Sequence, residues 1–329
     1  MNKQKLKILL LVIGFSAFLV LVYVVGPAKI YQHFCILKWK MFLLLIPYTL
    51  VFVFDTLGWH YSFRERKISF KNLLTIRLAG ETVNMIVPSA YFAGEPVKAY
   101  FLKRHNISMV DGMASVVISR TIMTIAEILF VILGVQFLIL KLNLSSIQLI
   151  GSIGITLLGV PIIVFIIFIQ KRGFFSIVLK ILQKFGLNIQ YLNEREHRLK
   201  ELDQSIQQFY SEKPKSFIIS FVFYFLGWIV GMAEVFLILY FLDIPIDILS
   251  AYIVESLSTV SRAITSFIPG SIGGQEGGLI GIFMILNLSA SVALTFGILR
   301  RLRELIWIAA GLIVLSKLEW TMATPVPNE

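Results

Sequence analysis

The amino-acid sequence predicts an all-α protein that crosses a membrane several times. Hydrophobic residues make up 57% of the chain, and the mean hydropathy is +0.83. Several apolar runs exceed the ~18 residues that indicate a membrane-spanning helix. Two other apolar stretches are interrupted by proline, glycine and charges, and one polar pattern occurs twice. We therefore expect a polytopic protein with about six full spans, two re-entrant helical hairpins and two repeats of inverted topology.

Uninterrupted apolar segments are predicted to be the full spans. The first is too long for the apolar part of a signal peptide, and no small-residue cleavage site precedes Pro27, so we expect it to remain as an anchor. Cys35 is the single cysteine, which excludes an internal disulfide and a cysteine-based metal cluster. The predicted spans are 6–26, 41–61, 110–140, 147–170, 217–242 and 289–316.

Lysine and arginine are distributed unequally between the loops. If the N-terminus is cytosolic, 21 of the 30 basic residues fall in cytosolic segments and five in outer loops. This asymmetry is typical of multi-pass proteins. We therefore expect a cell-membrane protein with both termini in the cytosol. The net charge of +11 does not predict a nucleic-acid partner, because the basic residues flank membrane segments.

The interrupted stretches, 73–102 and 248–286, are predicted to be re-entrant hairpins. Basic residues flank both ends of the first stretch, so a full crossing would place one basic flank outside. Almost no Lys or Arg flanks the second stretch, which we expect to enter from the outer face. Irregular backbone at membrane depth is tolerated only where protein buries it or where it lines a wet cavity.

The pattern P-x6-E-x10-N-[IL]-S-x11-R occurs in both hairpins, with an offset of 181 residues. Within one transmembrane domain, 1–329, repeat one covers about 38–140 and repeat two about 219–321. A linking span and cytosolic amphipathic helices occupy 147–215. Opposite orientations of the two repeats are typical of transporters with a site near the midplane. The matching residues are Pro88, Glu95, Asn106 and Arg120, followed by Pro269, Glu276, Asn287 and Arg301.

Helical spacing of apolar residues predicts two amphipathic helices in the linking region. Segment 174–185 carries Lys180 and Lys184 between its apolar residues, which predicts an interfacial helix on anionic lipid. Segment 194–210 has Leu202, Ile206 and Phe209 on one side. We favour a membrane-lying elbow for it over a face that binds a cytosolic protein.

The hairpin turns are suited to bind a phosphate group. Glycines allow close backbone approach, and the start of a half-helix near Ser271 offers free N–H groups to an anion. Pro96 suits the first position of a second half-helix, with Lys98 in its first turn. The predicted substrate contacts are Gly94, Glu95, Lys98, Arg120, Pro269, Gly270, Gly273, Gly274, Glu276 and Arg301. The residues predicted to shape the hairpins are Pro88, Pro96, Asn106 and Asn287.

Glu95 and Glu276 have two interpretations. Each carboxylate could pair with a nearby arginine, Arg120 or Arg301, and simply hold its hairpin. Alternatively, each could accept a proton, an ion or a cationic head group, and a structural pair can also serve as a gate. Other charges lie in apolar surroundings, and we expect the Arg300–Glu304 cluster to face the protein interior. The remaining carboxylates of this kind are Glu81, Glu127, Glu234 and Glu255.

The sequence contains none of the common motifs of soluble enzymes. It has no P-loop, no G-x-G-x-x-G after a strand, no H-E-x-x-H and no G-x-S-x-G. The four histidines have no zinc-ligand spacing. We therefore expect no enzyme activity, no cofactor and no metal.

The two hairpin sequences, "IVPSAYFAGEPVKAYFLKR" and "FIPGSIGGQEGG", resemble the flippase-like integral membrane family, whose members include the transmembrane region of lysylphosphatidylglycerol synthases. Pro269, Gly270, Gly273 and Glu276 match its P-G-x-x-G-x-x-E element. Gly94, Glu95 and Lys98 match a G-E-x-x-[KR] element. The resemblance covers nearly the whole chain and implies movement of lipids or lipid-linked head groups between leaflets. Few residues follow the last span, so we expect no aminoacyl-transferase domain.

These observations predict a translocase, not driven by ATP, for an anionic phospholipid or a polyprenyl-phosphate-type lipid. Its head group would pass between the hairpins, with Glu95 and Glu276 gating the path or carrying a proton. The alternatives are a membrane-embedded enzyme or accessory subunit of glycolipid or cell-envelope lipid synthesis, and a scaffold. The expected partners are membrane lipids, anionic or linked to a sugar, together with cytosolic or biosynthetic proteins.

Overall fold

The computed structural model describes residues 20, 23, 27–65, 68–87, 92–142, 146–184, 196–266, 268 and 271–323. This part of the chain is almost entirely helical and contains no β-strand, which confirms the all-α prediction. Most of the predicted first span, 6–26, lies outside the described residues. The helices are α1 (Pro27–Leu37), a 3₁₀ helix (Lys38–Leu44), α2 (Leu45–His60), α3 (Phe70–Ile86), α4 (Gly94–Leu102), a 3₁₀ turn (Lys103–His105), α5 (Met109–Leu142), α6 (Ser146–Arg172), α7 (Phe174–Lys184), α8 (Glu196–Glu212), α9 (Pro214–Phe241), α10 (Ile248–Ile264), α11 (Gly274–Ile285) and α12 (Ala290–Ala323).

Helices of membrane-spanning length are present in the described chain. By length and composition, Tyr31–His60, Met109–Leu142 and Pro214–Phe241 can each cross a membrane. The pair Leu157–Arg172 and Phe174–Lys184, bent by 87°, adds a fourth if it is counted as one span. Helix α12 has 34 residues but carries a charged cluster, so its composition differs from that of an ordinary span.

The sequence determines where several helices begin. Ser69 caps α3 by accepting a hydrogen bond from the Asn72 N–H, and Asp247 caps α10 by accepting one from the Ser250 N–H at 2.9 Å. Pro214 is the first residue of α9, where its missing N–H costs no helical hydrogen bond.

The order and bounds of the helices recur with the offset found in the polar pattern. Helices α2 to α5 correspond to α9 to α12, and α5 and α12 are both 34 residues long. Asn106 and Asn287 precede these long helices, and both are left-handed, with φ of 57° and 59°. Asparagine is one of the few residues that adopt this conformation readily.

The two halves pack through matching helices: α2 against α9, α3 against α12, and α5 against α10. Small residues bring α2 and α9 close together, as is common between membrane helices. A Cβ atom added to Gly58 would lie 2.8 Å from the Tyr224 ring, and Ser220 Oγ donates to the Gly58 carbonyl at 2.8 Å. The halves thus pack closely along α2 and α9, while two of the hydrophobic clusters lie mainly within one half each.

The amphipathic helices α7 and α8 have different environments. The apolar face of α8, including Ile206 and Phe209, packs against α5 residues such as Ile118. This contact corrects the prediction of a membrane-lying elbow, because protein covers the apolar face. Helix α7 keeps an exposed Ile181, as an interfacial helix would.

Candidate functional site

A cavity of about 740 Å³ lies between the two halves of the protein. Helices α2, α3 and α5 of the first half line it, together with α9, α10 and α12 of the second half and α6 of the linking region. Apolar side chains form most of its surface, but charges are concentrated there as well. The charged lining residues are Asp55, Arg77, Glu81, Arg120, Glu127, Glu234, Glu255, Arg262, Arg300 and Arg303.

The cavity extends to the outer surface of the helix bundle. Its lining includes Leu158 and Ile162 of α6 and Ile264 at the end of α10. Leu158 is 67% exposed and Ile264 is 66% exposed. The cavity therefore combines a charged interior with an exposed apolar rim.

In the first half, buried ions from three helices form one chain of contacts. Arg77 Nη2 lies 2.8 Å from Asp55 Oδ2 and 3.7 Å from Glu81 Oε1. Lys98 Nζ lies 2.7 Å from the same Glu81 oxygen and 3.1 Å from Glu95 Oε1. Lys98 thereby connects Glu95, in α4, to Glu81, which lines the cavity.

The same chain of contacts closes the first hairpin, α3–α4. Asn84 Nδ2 donates to Glu95 Oε1 at 3.3 Å, and Asn84 Oδ1 accepts from the Gly94 N–H at 2.6 Å. A Cβ atom on Gly94 would overlap the Gly80 carbonyl oxygen, so α3 and α4 meet at their glycines. The N–H group that was expected to bind phosphate therefore already has an acceptor.

In the second half, two arginines of α12 and two glutamates are buried against the cavity. Arg303 pairs with Glu234, and Arg300 pairs with Glu255 and lies 3.5 Å from Glu234. The neighbouring glycine Gly231 leaves room for this group, because a Cβ atom there would lie 3.2 Å from Glu255 Oε1. Such pairs avoid the cost of an unpaired buried charge.

The second hairpin, α10–α11, is tied to α12 at its turn. Glu276 Oε2 accepts from the Gly273 N–H at 2.7 Å, and Glu276 Oε1 lies 2.9 Å from Arg301 Nε. Helix α11 begins at Gly274, three residues after the expected start, since Ser271 and Gly273 have φ of 52° and 80°. A right-handed helix excludes such angles, and the Glu276 carboxylate caps the helix where an external anion was expected.

The predicted site residues fall into separate places. Arg120 lines the cavity, whereas Glu95, Lys98, Glu276 and Arg301 lie behind it and connect to lining residues through ion pairs. Gly94, Gly273 and Gly274 lie at the two turns, and Asn106 and Asn287 precede α5 and α12. Pro88, Pro269 and Gly270 lie outside the described residues.

Two of the predicted details differ in the structure. Glu95 contacts Lys98 and Asn84, whereas Arg120 lies over the Phe92 ring, 5.8 Å from its centroid. Pro96 is the third residue of α4, because the helix begins at Gly94. Its missing N–H is tolerated there, since the first four N–H groups of a helix have no partner within it.

The sequence interpretation missed the pair formed by Asp55 and Arg77. Arg77 is one of the 21 basic residues that the charge distribution assigns to cytosolic segments, but it is only 4% exposed. A usable signal was its i, i+4 spacing to Glu81, which places both side chains on one face of α3. Within the described chain, no set of three or more His, Cys, Asp or Glu side chains could hold a metal ion.

Comparison with known proteins gives a consistent result. The family model of the lysylphosphatidylglycerol synthase TM region matches residues 7–311. The chain is 26% identical over 307 residues to a UPF0104 membrane protein of Methanothermobacter thermautotrophicus, covering 89% of this chain and 90% of that protein. No solved structure gives a significant match. The chain belongs to the lysylphosphatidylglycerol synthase transmembrane-region family of membrane proteins.

Proposed function

We propose that this protein translocates phosphate-bearing lipids between membrane leaflets through the cavity between its two halves. One observation carries the proposal: the cavity has a charged interior and an exposed apolar rim. A lipid has the same two parts. Its head group needs a polar path, whereas its chains are stable in the bilayer, so the rim would let the chains remain outside.

The ion pairs of the cavity suit such a path. Paired charges present strong local dipoles to a passing head group without a large net charge that would trap it. Arg303 pairs with Glu234 and also lies 3.8 Å from the centroid of the Tyr48 ring. This contact joins α12 to α2 across the two halves, so that movement of either helix would change the width of the cavity.

We further propose that the halves are inverted repeats and that α3–α4 and α10–α11 are re-entrant hairpins entering from opposite faces. The recurrence of the helix bounds at an offset of 181 residues supports this arrangement, as does the distribution of basic residues. With this arrangement we expect both termini in the cytosol and the protein in the cell membrane. Rocking of one half against the other would expose the cavity to each leaflet in turn.

The substrates that we propose are anionic phospholipids and polyprenyl-phosphate-type lipids. Arg120 is the cavity arginine best placed to bind phosphate, since the other four, Arg77, Arg262, Arg300 and Arg303, pair with carboxylates. A guanidinium group is always charged and matches phosphate geometry well. A biosynthetic enzyme that supplies or consumes the lipid would be a partner.

Proteoliposomes test this function directly. Purified protein is reconstituted with a fluorescent phosphatidylglycerol, and dithionite reduction reports the fraction of probe in the outer leaflet. We expect reduction of nearly all probe in protein-containing vesicles and of about half in empty vesicles. If protein-containing and empty vesicles show the same reduced fraction, both for phosphatidylglycerol and for polyprenyl phosphate probes, the proposal is contradicted.

The same vesicles separate transport from the alternative, an enzyme of lipid synthesis. Chromatography of the extracted lipids after incubation with a lipid donor would reveal any new product. We expect the lipid composition to be unchanged. Product formation without translocation would favour the enzyme, and the absence of both translocation and product formation in the wild type would favour a scaffold.

A further inference from the structure

The charges that line the cavity divide into two groups. Most of them form ion pairs, through Asp55–Arg77–Glu81, through the Glu234–Glu255–Arg300–Arg303 cluster, and through Arg262 with Glu304 at 3.4 Å. Arg120 and Glu127 are different. Among the described residues, neither of them has an ion-pair partner.

Arg120 and Glu127 belong to the same face of α5. Seven residues separate them, which is two helical turns and about 10 Å along the axis. Arg120 contacts the Met123 sulfur at 4.0 Å and the Phe92 ring, and neither contact neutralises its charge. Its guanidinium is therefore available to an anion in the cavity.

Glu127 lines the cavity, whose surface is mostly apolar. Ile128 and Val131 of α5, Ile162 of α6 and Trp228 of α9 line the cavity with it. The cations that act on its carboxylate are Arg120 and Arg262 of α10, at a distance beyond an ion pair. The other charged groups facing the cavity are already paired. They are Asp55 of α2, Arg77 and Glu81 of α3, Glu234 of α9, Glu255 of α10, and Arg300 and Arg303 of α12.

The two unpaired charges compensate each other only while the cavity is empty. A phosphate that binds Arg120 neutralises the guanidinium and brings its own negative charge close to Glu127. An ionised carboxylate without a partner in apolar surroundings is costly, and it becomes neutral when it takes up a proton. Binding of the phosphate and protonation of Glu127 therefore favour each other.

We propose that Glu127 is a proton-binding site that couples lipid movement to protons. The head-group phosphate binds Arg120, and the Glu127 carboxylate takes one proton from water to become a carboxylic acid; the reverse happens on release. This proposal rests on the translocase function and assigns its proton site to Glu127. The hairpin carboxylates Glu95 and Glu276 are less suited, because Lys98 and Arg301 hold them as ion pairs.

Proton uptake on ligand binding is the direct test. Purified protein in weakly buffered detergent is mixed with dioctanoyl phosphatidylglycerol, and a pH-sensitive dye reports proton release or uptake. We expect uptake approaching one proton per bound lipid in the wild type and none in Glu127→Gln, which still binds the lipid. Glu201→Gln, an exposed change on α8, is the matched control and should behave as the wild type.

The pH dependence of binding provides the second readout. We expect the wild-type Kd to increase by up to about tenfold per pH unit at high pH, because one proton is taken up on binding. Glu127→Gln should bind with little pH dependence, and Glu127→Asp should restore it. Arg120→Gln should weaken binding at every pH, with thermal unfolding confirming that each variant is folded.

Different results would overturn different claims. Lipid binding without proton uptake, or equal uptake by Glu127→Gln, would overturn the proton site and leave the translocase proposal intact. Failure of the wild type to bind the lipid would overturn both. The same proton-uptake experiment is repeated with glycerol phosphate, which lacks acyl chains. Equal proton uptake with this compound would overturn the assignment of the site to lipid.

Discussion

Arg301 and Glu276 form an ion pair, with Nε of the arginine 2.9 Å from Oε1 of the glutamate. The other carboxylate oxygen accepts from the Gly273 N–H. Glu276 is only 1% exposed, so one side chain joins α12 to the turn of the second hairpin and caps α11. This geometry favours the structural interpretation of Glu276, in which the carboxylate holds the hairpin.

A double-mutant cycle measures this connection. Glu276→Gln and Arg301→Gln should each destabilise the protein, and the double variant should be less destabilised than the sum of the two. We expect a coupling free energy of about 1–3 kcal/mol, reduced by the alternative partners Gln275 and Glu304 of the arginine. The free energy of unfolding in detergent, from denaturant titration, gives the four values. Additive effects would show that the pair does not hold the turn.

The first hairpin depends on a glycine contact. Gly94→Ala should destabilise the protein by roughly 1–3 kcal/mol, because its Cβ atom would overlap the Gly80 backbone and force α3 and α4 apart. Gly281→Ala is the matched control, since nothing lies within 4 Å of a Cβ atom there. Alanine favours helix by ~1 kcal/mol, so this variant should be neutral or more stable. Similar melting temperatures for Gly94→Ala and the wild type would contradict the close approach.

The sequence predicted the helices well, because apolar runs and turn residues are local signals. The long span 110–140 corresponds to α5, and Asn106 and Asn287 mark equivalent turns. The polar spacing also identified corresponding residues in the two halves. Local pattern thus accounts for the order of elements and for their approximate bounds.

The partners of the charged residues could not be predicted in the same way. Glu95 was expected to pair with Arg120, but it forms its ion pair with Lys98, three residues away on the same helix. The pair formed by Asp55 and Arg77 joins α2 to α3, and only the packing of these helices determines it. For α8, amphipathicity predicted the apolar face but not whether lipid or α5 would cover that face.

The packing of α8 on α5 gives a third prediction. Phe209→Ala should destabilise the protein by about 3–5 kcal/mol, since the ring is fully buried against the bundle. Ile181→Ala on α7 should change stability by less than about 1 kcal/mol, because half of that side chain is exposed. The free energy of unfolding in detergent compares them. Small effects of equal size for both variants would contradict the packing of α8 on α5 and favour a helix that lies on the membrane surface.

Asp247 gives a prediction of pH dependence outside the membrane-spanning helices. The hydrogen bond from Lys141, at 2.7 Å, and those from Ser250 lower the pKa of Asp247 to about 2. A lowered folded-state pKa stabilises the protein above pH 4, and this contribution is lost as the pH falls towards 2. The side chain is 57% exposed, so we expect roughly 0.2–1 kcal/mol.

Comparison of the wild type with Asp247→Asn tests this expectation. The wild type should be more stable at pH 6, and the difference in melting temperature should shrink steadily below pH 4. A constant difference down to pH 2 would show that the carboxylate charge does not contribute. Glu201→Gln, at an exposed position on α8, controls for the loss of a negative charge.

The most direct measurement of the central claim is lipid translocation by Arg120→Gln in proteoliposomes. Arg120 lines the cavity and has no ion-pair partner among the described residues, so its loss should slow movement of phosphatidylglycerol about tenfold or more. Arg198→Gln, an exposed change on α8, should leave the rate unchanged. If Arg120→Gln translocates the lipid as fast as the wild type, at equal protein content and stability, that result would contradict a lipid path through this cavity.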